Sequence, residues 1–264
     1  MKKVSTLLVT GMVMLSACQK NDVYLDSDNT KGKALGKDIK STESIKQCSI
    51  VQIIYPVADG TNDVLQFSYN SAGNPVTITR SRGARTGYPN YVFKYDQKKR
   101  LTDFIGIYND GNTNAEFWHK YFYDNHDNVV LDSTYIFPSI ANGYPENAFD
   151  RRATSYTYDD NGRIIKESIV SANNAPVEHT YTYDGNGNKT GDTYDGNTNI
   201  NRTNKMWMFL NRDYSVNNPF HADAYNASSF PSSLNLAPEN ALDFLGNSYS
   251  QAQIVYSCDD QAAK

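Results

Sequence analysis

Tyr156-Thr157-Tyr158-Asp159-Asp160-Asn161-Gly162-Arg163 decides the fold. Tyrosine and threonine alternate ahead of the acid and Ile164 resumes beyond it, so aromatic side chains share one face of a strand and threonines the other. Asp159 suits the first position of a type I turn, and Gly162 the left-handed position that follows. The stretch therefore predicts a β-hairpin closed by a short bulged turn. Its opening phrase, aromatic–x–Tyr–Asp/Asn, recurs at Phe67–Asn70, Phe93–Asp96, Tyr121–Asp124 and Tyr181–Asp184. Asn70-Ser71-Ala72-Gly73 and Asp184-Gly185-Asn186-Gly187 keep the glycine, whereas Lys99 and Asp127 replace it in the second and third copies, whose turn signature is weaker.

Consecutive hairpins with short links build an antiparallel up-and-down meander. An opening strand near Cys48–Tyr55 and a closing one near Gln253–Cys258 bring the expected total to about ten to twelve strands, a size at which twist makes a sheet curl, split or close. The expected fold class is all-β: a strongly curled sheet or partly open barrel with one short helix near the C-terminus. Pro238-Glu239-Asn240-Ala241 is the candidate for that helix, with proline in the first turn and an early acid. Pro138–Asp150 reads as an inserted loop marked by Asn142-Gly143 and Tyr144-Pro145. Met206-Trp207-Met208-Phe209-Leu210, the most apolar run after the leader, breaks the rhythm and predicts a hydrophobic plug inside or beneath the sheet.

The N-terminal region has its own logic. Lys2 and Lys3 precede a short apolar core, Leu7 to Met14, well below the roughly 20 residues of a spanning helix. Leu15-Ser16-Ala17-Cys18 then resembles a bacterial lipobox, in which Cys18 is acylated; the plain alternative is an ordinary signal peptide with an incidental cysteine. The expected organisation is a signal peptide over 1–17, a flexible polar tether over 18–44 and a single β-repeat domain over 45–264, held at the outer membrane by the lipid. The remaining cysteines, Cys48 and Cys258, flank the repeats; in an oxidising compartment they either form a disulfide joining the first and last strands or stay as buried thiols.

Two family resemblances follow from these motifs. Tyr156–Arg163 is similar to the YD repeats of Rhs-type wall proteins and toxin shells, which need many more copies to build a cocoon. Over nearly the whole chain, the lipobox, the five phrases, the Trp207–Phe220 block and Tyr256-Ser257-Cys258 resemble lipoproteins of unknown function from Bacteroidota-type bacteria. That resemblance implies a porin-like antiparallel β domain and no catalytic residues.

Chemistry is sparsely signalled. A net charge of −4 and a pI near 5.6 argue against a nucleic-acid partner. Lys98-Lys99-Arg100 and Arg80, Arg82 and Arg85 read as solvated tips. His119, His126, His179 and His221 form no metal or nucleophile motif, though His119 and His126 fall on opposite arms of one hairpin. Asp184 to Asp195 starts like a calcium loop but has Lys189 at the sixth position, and a plain hairpin turn needs the same residues. No nucleophile elbow, phosphate loop or dinucleotide fingerprint occurs, so neither catalytic residues nor a cofactor is expected. The expected role is binding or scaffolding by a membrane-tethered envelope protein, with a glycan or an envelope protein as partner. The alternative is a glycan-binding or glycan-processing accessory factor that uses exposed aromatics in the sheet cavity.

Overall fold

A computed structural model describes residues 48–108, 114–172 and 174–258. The expected signal peptide, the tether and Cys18 lie outside these residues. The strands are β1 Cys48–Pro56, β2 Asn62–Tyr69, β3 Pro75–Arg80, β4 Asn90–Tyr95, β5 Leu101–Ile107, β6 Ala115–Tyr123, β7 Val129–Ile136, β8 Ser139–Ala141 and β9 Tyr144–Glu146. They continue as β10 Asp150–Tyr158, β11 Ile164–Ser171, β12 Asn174–Thr180, β13 Ala224–Tyr225, β14 Pro231–Asn235, β15 Leu242–Phe244, β16 Asn247–Tyr249 and β17 Gln251–Cys258. One α-helix, α1, spans Lys205–Leu210.

Thirteen strands form one antiparallel sheet in the order β12-β11-β10-β7-β6-β5-β4-β3-β2-β1-β17-β14-β13, and it does not close into a barrel. The count exceeds the expected range because β13 and β14, from the irregular stretch after Asn199, extend the sheet beyond β17. The Pro138–Asp150 insertion is the β8–β9 hairpin. Its corner is Asn142-Gly143, both at positive φ (51° and 77°), as a two-residue turn with left-handed central positions requires.

The repeat is a turn with a fixed wiring. In the first, third, fourth and fifth copies the side-chain Oδ1 of the Asn or Asp accepts from the backbone N–H two and four residues on: Asn70 from Ala72 and Asn74, Asp124 from His126 and Asn128, Asp159 from Asn161 and Arg163, Asp184 from Asn186 and Asn188. Asp96 accepts from Arg100 in the same way. The fourth turn position is left-handed in every copy: Gly73, Lys99, Asp127, Gly162 and Gly187. A sixth copy, unread in the sequence because Asp223 and Ala224 precede its tyrosine, starts at Asn226: its Oδ1 accepts from Ser228 and Phe230, and Ser229 sits at φ 62°.

The second aromatic of each phrase joins neighbouring units. Tyr95 donates its hydroxyl to the Pro75 carbonyl (2.7 Å), Tyr123 to Leu101 (2.7 Å), Tyr158 to Val129 (2.9 Å) and Tyr183 to Ile164 (3.4 Å). Each acceptor is the first residue after the preceding turn. Arg100 and Arg163, at the fifth turn position, pair with Asp96 and Asp159 and lie 4.5 and 4.0 Å over the rings of Tyr123 and Tyr183. Burial pushes the Tyr123 phenol up to about 12, against the opposing pull of Arg100. These tyrosines are structural struts. The fifth copy keeps its turn but leaves the sheet, with only the Tyr183–Lys189 bridge, because Thr190-Gly191-Asp192 offers no apolar run to pair.

The first aromatics face inward. Phe67, Phe93, Tyr121 and Tyr156 are buried against α1, with Phe67 and Phe93 edge-on to Trp207 and Tyr121 and Tyr156 edge-on to Phe209. From β2 to β10 a flat sheet would extend roughly 29 Å at about 4.8 Å per strand, whereas α1 is only about 9 Å long. Contact at both ends of that span requires the sheet to curl around the helix, the plug expected from the sequence. Pro238–Asn240 makes only one 3₁₀ turn, and Leu242 and Phe244, both buried, enter the β15–β16 hairpin instead. A disulfide joins Cys48 to Cys258, which are register partners in β1 and β17. Closing so long a loop stabilises by up to about 5 kcal/mol in the chain-entropy picture.

Trp207→Ala is expected to lower unfolding free energy by about 3–5 kcal/mol, since it empties the fully buried centre of the plug. Tyr158→Phe, which removes one strut, is expected to cost only about 1 kcal/mol. Urea titration measures both; similar losses for the two would contradict the division into plug and struts.

Candidate functional site

Two polar assemblies stand out, one half-buried inside the curl and one open at its turn-bearing end. The half-buried one begins on β6, where Phe117, His119 and Tyr121 share the concave face. His119 Nδ1 lies 2.9 and 3.1 Å from the Asp132 carboxylate oxygens on β7, and the Thr134 hydroxyl is 3.0 Å from the same nitrogen. Tyr156 donates to Asp132 (3.2 Å), and Arg212 donates to Tyr156. Arg212 also pairs with Glu167 (3.2 Å), which accepts from Tyr181 (2.8 Å). Arg212 is held at φ 52° directly after the plug helix, so its guanidinium ties the plug to β7, β10 and β11.

Burial pulls the Asp132 carboxyl upward, but the facing His119 and Arg212 and the Thr134 hydroxyl outweigh it and hold it below the usual carboxylate range. The order differs from that of a Ser-His-Asp triad, in which the nucleophile hydroxyl and the orienting carboxylate meet opposite ring nitrogens. Here Thr134 and Asp132 meet the same one. Sequence reasoning missed this assembly; the signal available was Asp132 and Thr134 at alternate positions opposite His119. Separately, Arg80, expected at a solvated tip, is buried against Asp63 (3.4 Å) and Tyr55, because β3 runs on through it with its side chain turned inward. Arg82 and Arg85 are exposed as expected.

The open assembly is a pocket of about 930 Å³ between the turn tips and α1. Gly73 and Asn74 of the first turn, Lys98 to Leu101 of the second, Asp127 to Val129 of the third and Gly162 of the fourth form one wall. Arg202 to Met206, with Met208 and Phe209, form the other, and Cys48 and Phe230 also line it. Leu101, Val129, Met206, Phe209 and Phe230 supply a buried apolar floor, while Lys98, Lys99, Arg202 and Lys205 are exposed at the rim. Asp127 serves both Arg100 (2.6 Å) and Lys98 (3.8 Å). Among the described residues no carboxylate comes within ion-pair distance of Lys99, Arg202 or Lys205.

The remaining sequence candidates are placed as follows. His126 lies in the third turn beside Asp124 (3.8 Å), apart from the His119 ring and its Asp132 partner, and no group of three or more His, Cys, Asp or Glu side chains among the described residues could hold a metal ion. Asp184 is occupied by its own turn, and Asp195 accepts from Tyr225 and the Asn197 backbone, so the two ends of the calcium-like stretch serve different structural tasks. The concave aromatics lie beneath the plug, whereas Tyr144 and Phe149, 62% and 85% exposed, belong to the inserted β8–β9 arm and its return. No protein-family model matches the chain, and no curated protein matches it. Among the described residues no helix is long and apolar enough to cross a membrane.

The depressed Asp132 group contributes stability that is complete above the unfolded carboxylate value near 3.9 and is lost as pH falls through the lower folded value. Asp132→Ala, which strands His119 and Arg212, is expected to cost about 3–5 kcal/mol near pH 7. The gap to the parent protein should be smaller at a pH below about 3.9 than at pH 7, because acid progressively neutralises the parent carboxylate too. Urea unfolding at the two pH values measures it, and a constant gap would argue that Asp132 is not ionised in the fold.

Proposed function

We propose that this chain is a lipid-anchored, non-enzymatic binding protein of a bacterial cell envelope, held at the outer membrane through Cys18 and similar in kind to the Bacteroidota-type lipoproteins. The observation that carries the reading is the pocket between the turn tips and α1, whose volume lies within the usual range for small-ligand sites. A curled sheet tied by a disulfide, a strut ladder and a buried plug favours a preformed site over an adaptable one. The disulfide also favours an oxidising compartment.

The glycan-accessory reading retains one favourable observation, the exposed rings of Tyr144 and Phe149, which suit stacking on sugar faces. Those rings belong to the inserted arm rather than to the concave cavity.

Palmitate labelling of the native protein should be lost in Cys18→Ala, and labelling that persists would remove the anchor. Native mass spectrometry of the full chain extracted from its own envelope should show a non-covalent adduct. A bare chain, together with silence on a glycan array, would leave no support for a binding role.

A further inference from the structure

We propose that the turn-end pocket receives an anionic amphiphile: an acyl chain along the floor, with a phosphate or carboxylate head held by Lys98, Lys99, Arg100, Arg202 and Lys205. This deepens the binding role proposed above and rests on it.

The chain as a whole carries −4, yet this mouth gathers five cations and, in its lining, one carboxylate, Asp127. Asp127 offsets part of Lys98 and Arg100, through contacts of 3.8 and 2.6 Å, and Asp96, beside the mouth, also holds Arg100 at 2.8 Å. Lys99, Arg202 and Lys205 add uncompensated charge among the described residues. Cations clustered around a low-dielectric concavity focus the field and favour an anion at the rim.

Below that rim several of the polar groups are already engaged. The Tyr123 and Tyr158 hydroxyls in the lining already donate to Leu101 and Val129. Asn204 caps α1 through its Oδ1 and donates to the Gly73 carbonyl (2.8 Å). The floor itself is Leu101, Val129, Met206, Met208, Phe209 and Phe230. Unbranched thioether side chains fit irregular apolar guests. An inorganic anion would leave this floor unused, and a neutral lipid would leave the cations unused. A ligand with both parts uses the whole site.

The repeat itself supports the assignment. Glycine is the low-strain residue at the left-handed fourth turn position, as Gly73 and Gly162 show in the first and fourth copies. At this mouth the second and third copies carry Lys99 and Asp127 instead, each at φ 62°. Left-handed backbone at non-glycine residues is a local cost that tends to persist at functional positions. At Lys99 it places a cation at the rim, whereas Asp127 serves Arg100 and Lys98.

The test uses the full chain in neutral phosphatidylcholine discs with three probes: photoactivatable phosphatidic acid, photoactivatable diacylglycerol with the same acyl chains, and inorganic phosphate as competitor. Phosphatidic acid should cross-link to the peptide containing Met206 and Met208. Arg202→Glu combined with Lys205→Glu, both exposed and outside the core, should reduce that cross-link at least tenfold while the Cys48–Cys258 disulfide and the circular dichroism stay unchanged. Equal cross-linking by diacylglycerol, or none of the phosphatidic acid signal at α1, would overturn the proposal. Complete displacement by millimolar phosphate would overturn its apolar half. A co-purifying adduct seen alongside any of these outcomes would leave the binding role standing with another ligand class; a bare chain would remove both.

Discussion

The fold depends on the burial of a six-residue helix by a sheet too wide to meet it flat. Trp207 reaches Phe67 and Phe93 on one side, and Phe209 reaches Tyr121 and Tyr156 on the other. The sheet can make both sets of contacts only by curling. An open sheet of this width would otherwise present a long aromatic face to water, and every buried ring there returns on the order of 25 cal/mol per Å² removed from solvent. The plug does for this chain what edge closure does for a barrel, and so the sheet can stay open at β12 and β13.

Curling makes demands that the other interactions meet. Neighbouring hairpins must keep their spacing at the turn-bearing end, and the tyrosine struts bind each turn to the next unit's strand there. The Asn and Asp side chains hold each turn by taking backbone donors that the bulge leaves without ladder partners. Arg212 binds the end of α1 to the far strands through Tyr156 and Glu167. The disulfide fixes β17 beside β1, where no turn connects them. Each device acts at a place where hydrophobic burial alone sets no position.

What could be read from the sequence was local. The alternation in Tyr156–Tyr158, the turn chemistry of Asp159–Gly162 and the isolated apolar block at Met206–Leu210 each carry their meaning within a few residues, and the hairpins, the bulges and the plug followed from them. The Cys48–Cys258 pairing could be posed because only two cysteines flank the repeats. What depends on register across strands could not be read: His119 meets Asp132 and Thr134, and Arg80 turns in against Asp63, only after the hairpins are aligned. The sixth turn at Asn226 escaped because its strand is two residues long and lacks the first aromatic. Pro238 opened a helical turn that stopped at once, because Leu242 and Phe244 bury more apolar surface as alternate residues of a strand than a short helix would allow.

The departures from the repeat are more informative than its regularity. A repeat selected only for folding would favour glycine at each left-handed corner, because other residues add strain there, Asn and Asp the least. Gly73, Gly162 and Gly187 obey that rule, whereas Lys99, Asp127 and Ser229 do not. Ser229 belongs to the short sixth copy and directly precedes Phe230 of the pocket floor. Lys99 and Asp127 fall on consecutive hairpins that border the same cavity, opposite Arg202 and Lys205. The Asp127 corner gains its pairing with the half-buried Arg100 in return (2.6 Å), whereas the Lys99 corner gains no ion pair among the described residues and leaves a cation at the opening. Folding gives a reason for Asp127 and none for Lys99, and a ligand whose anionic head group sits at the opening supplies one.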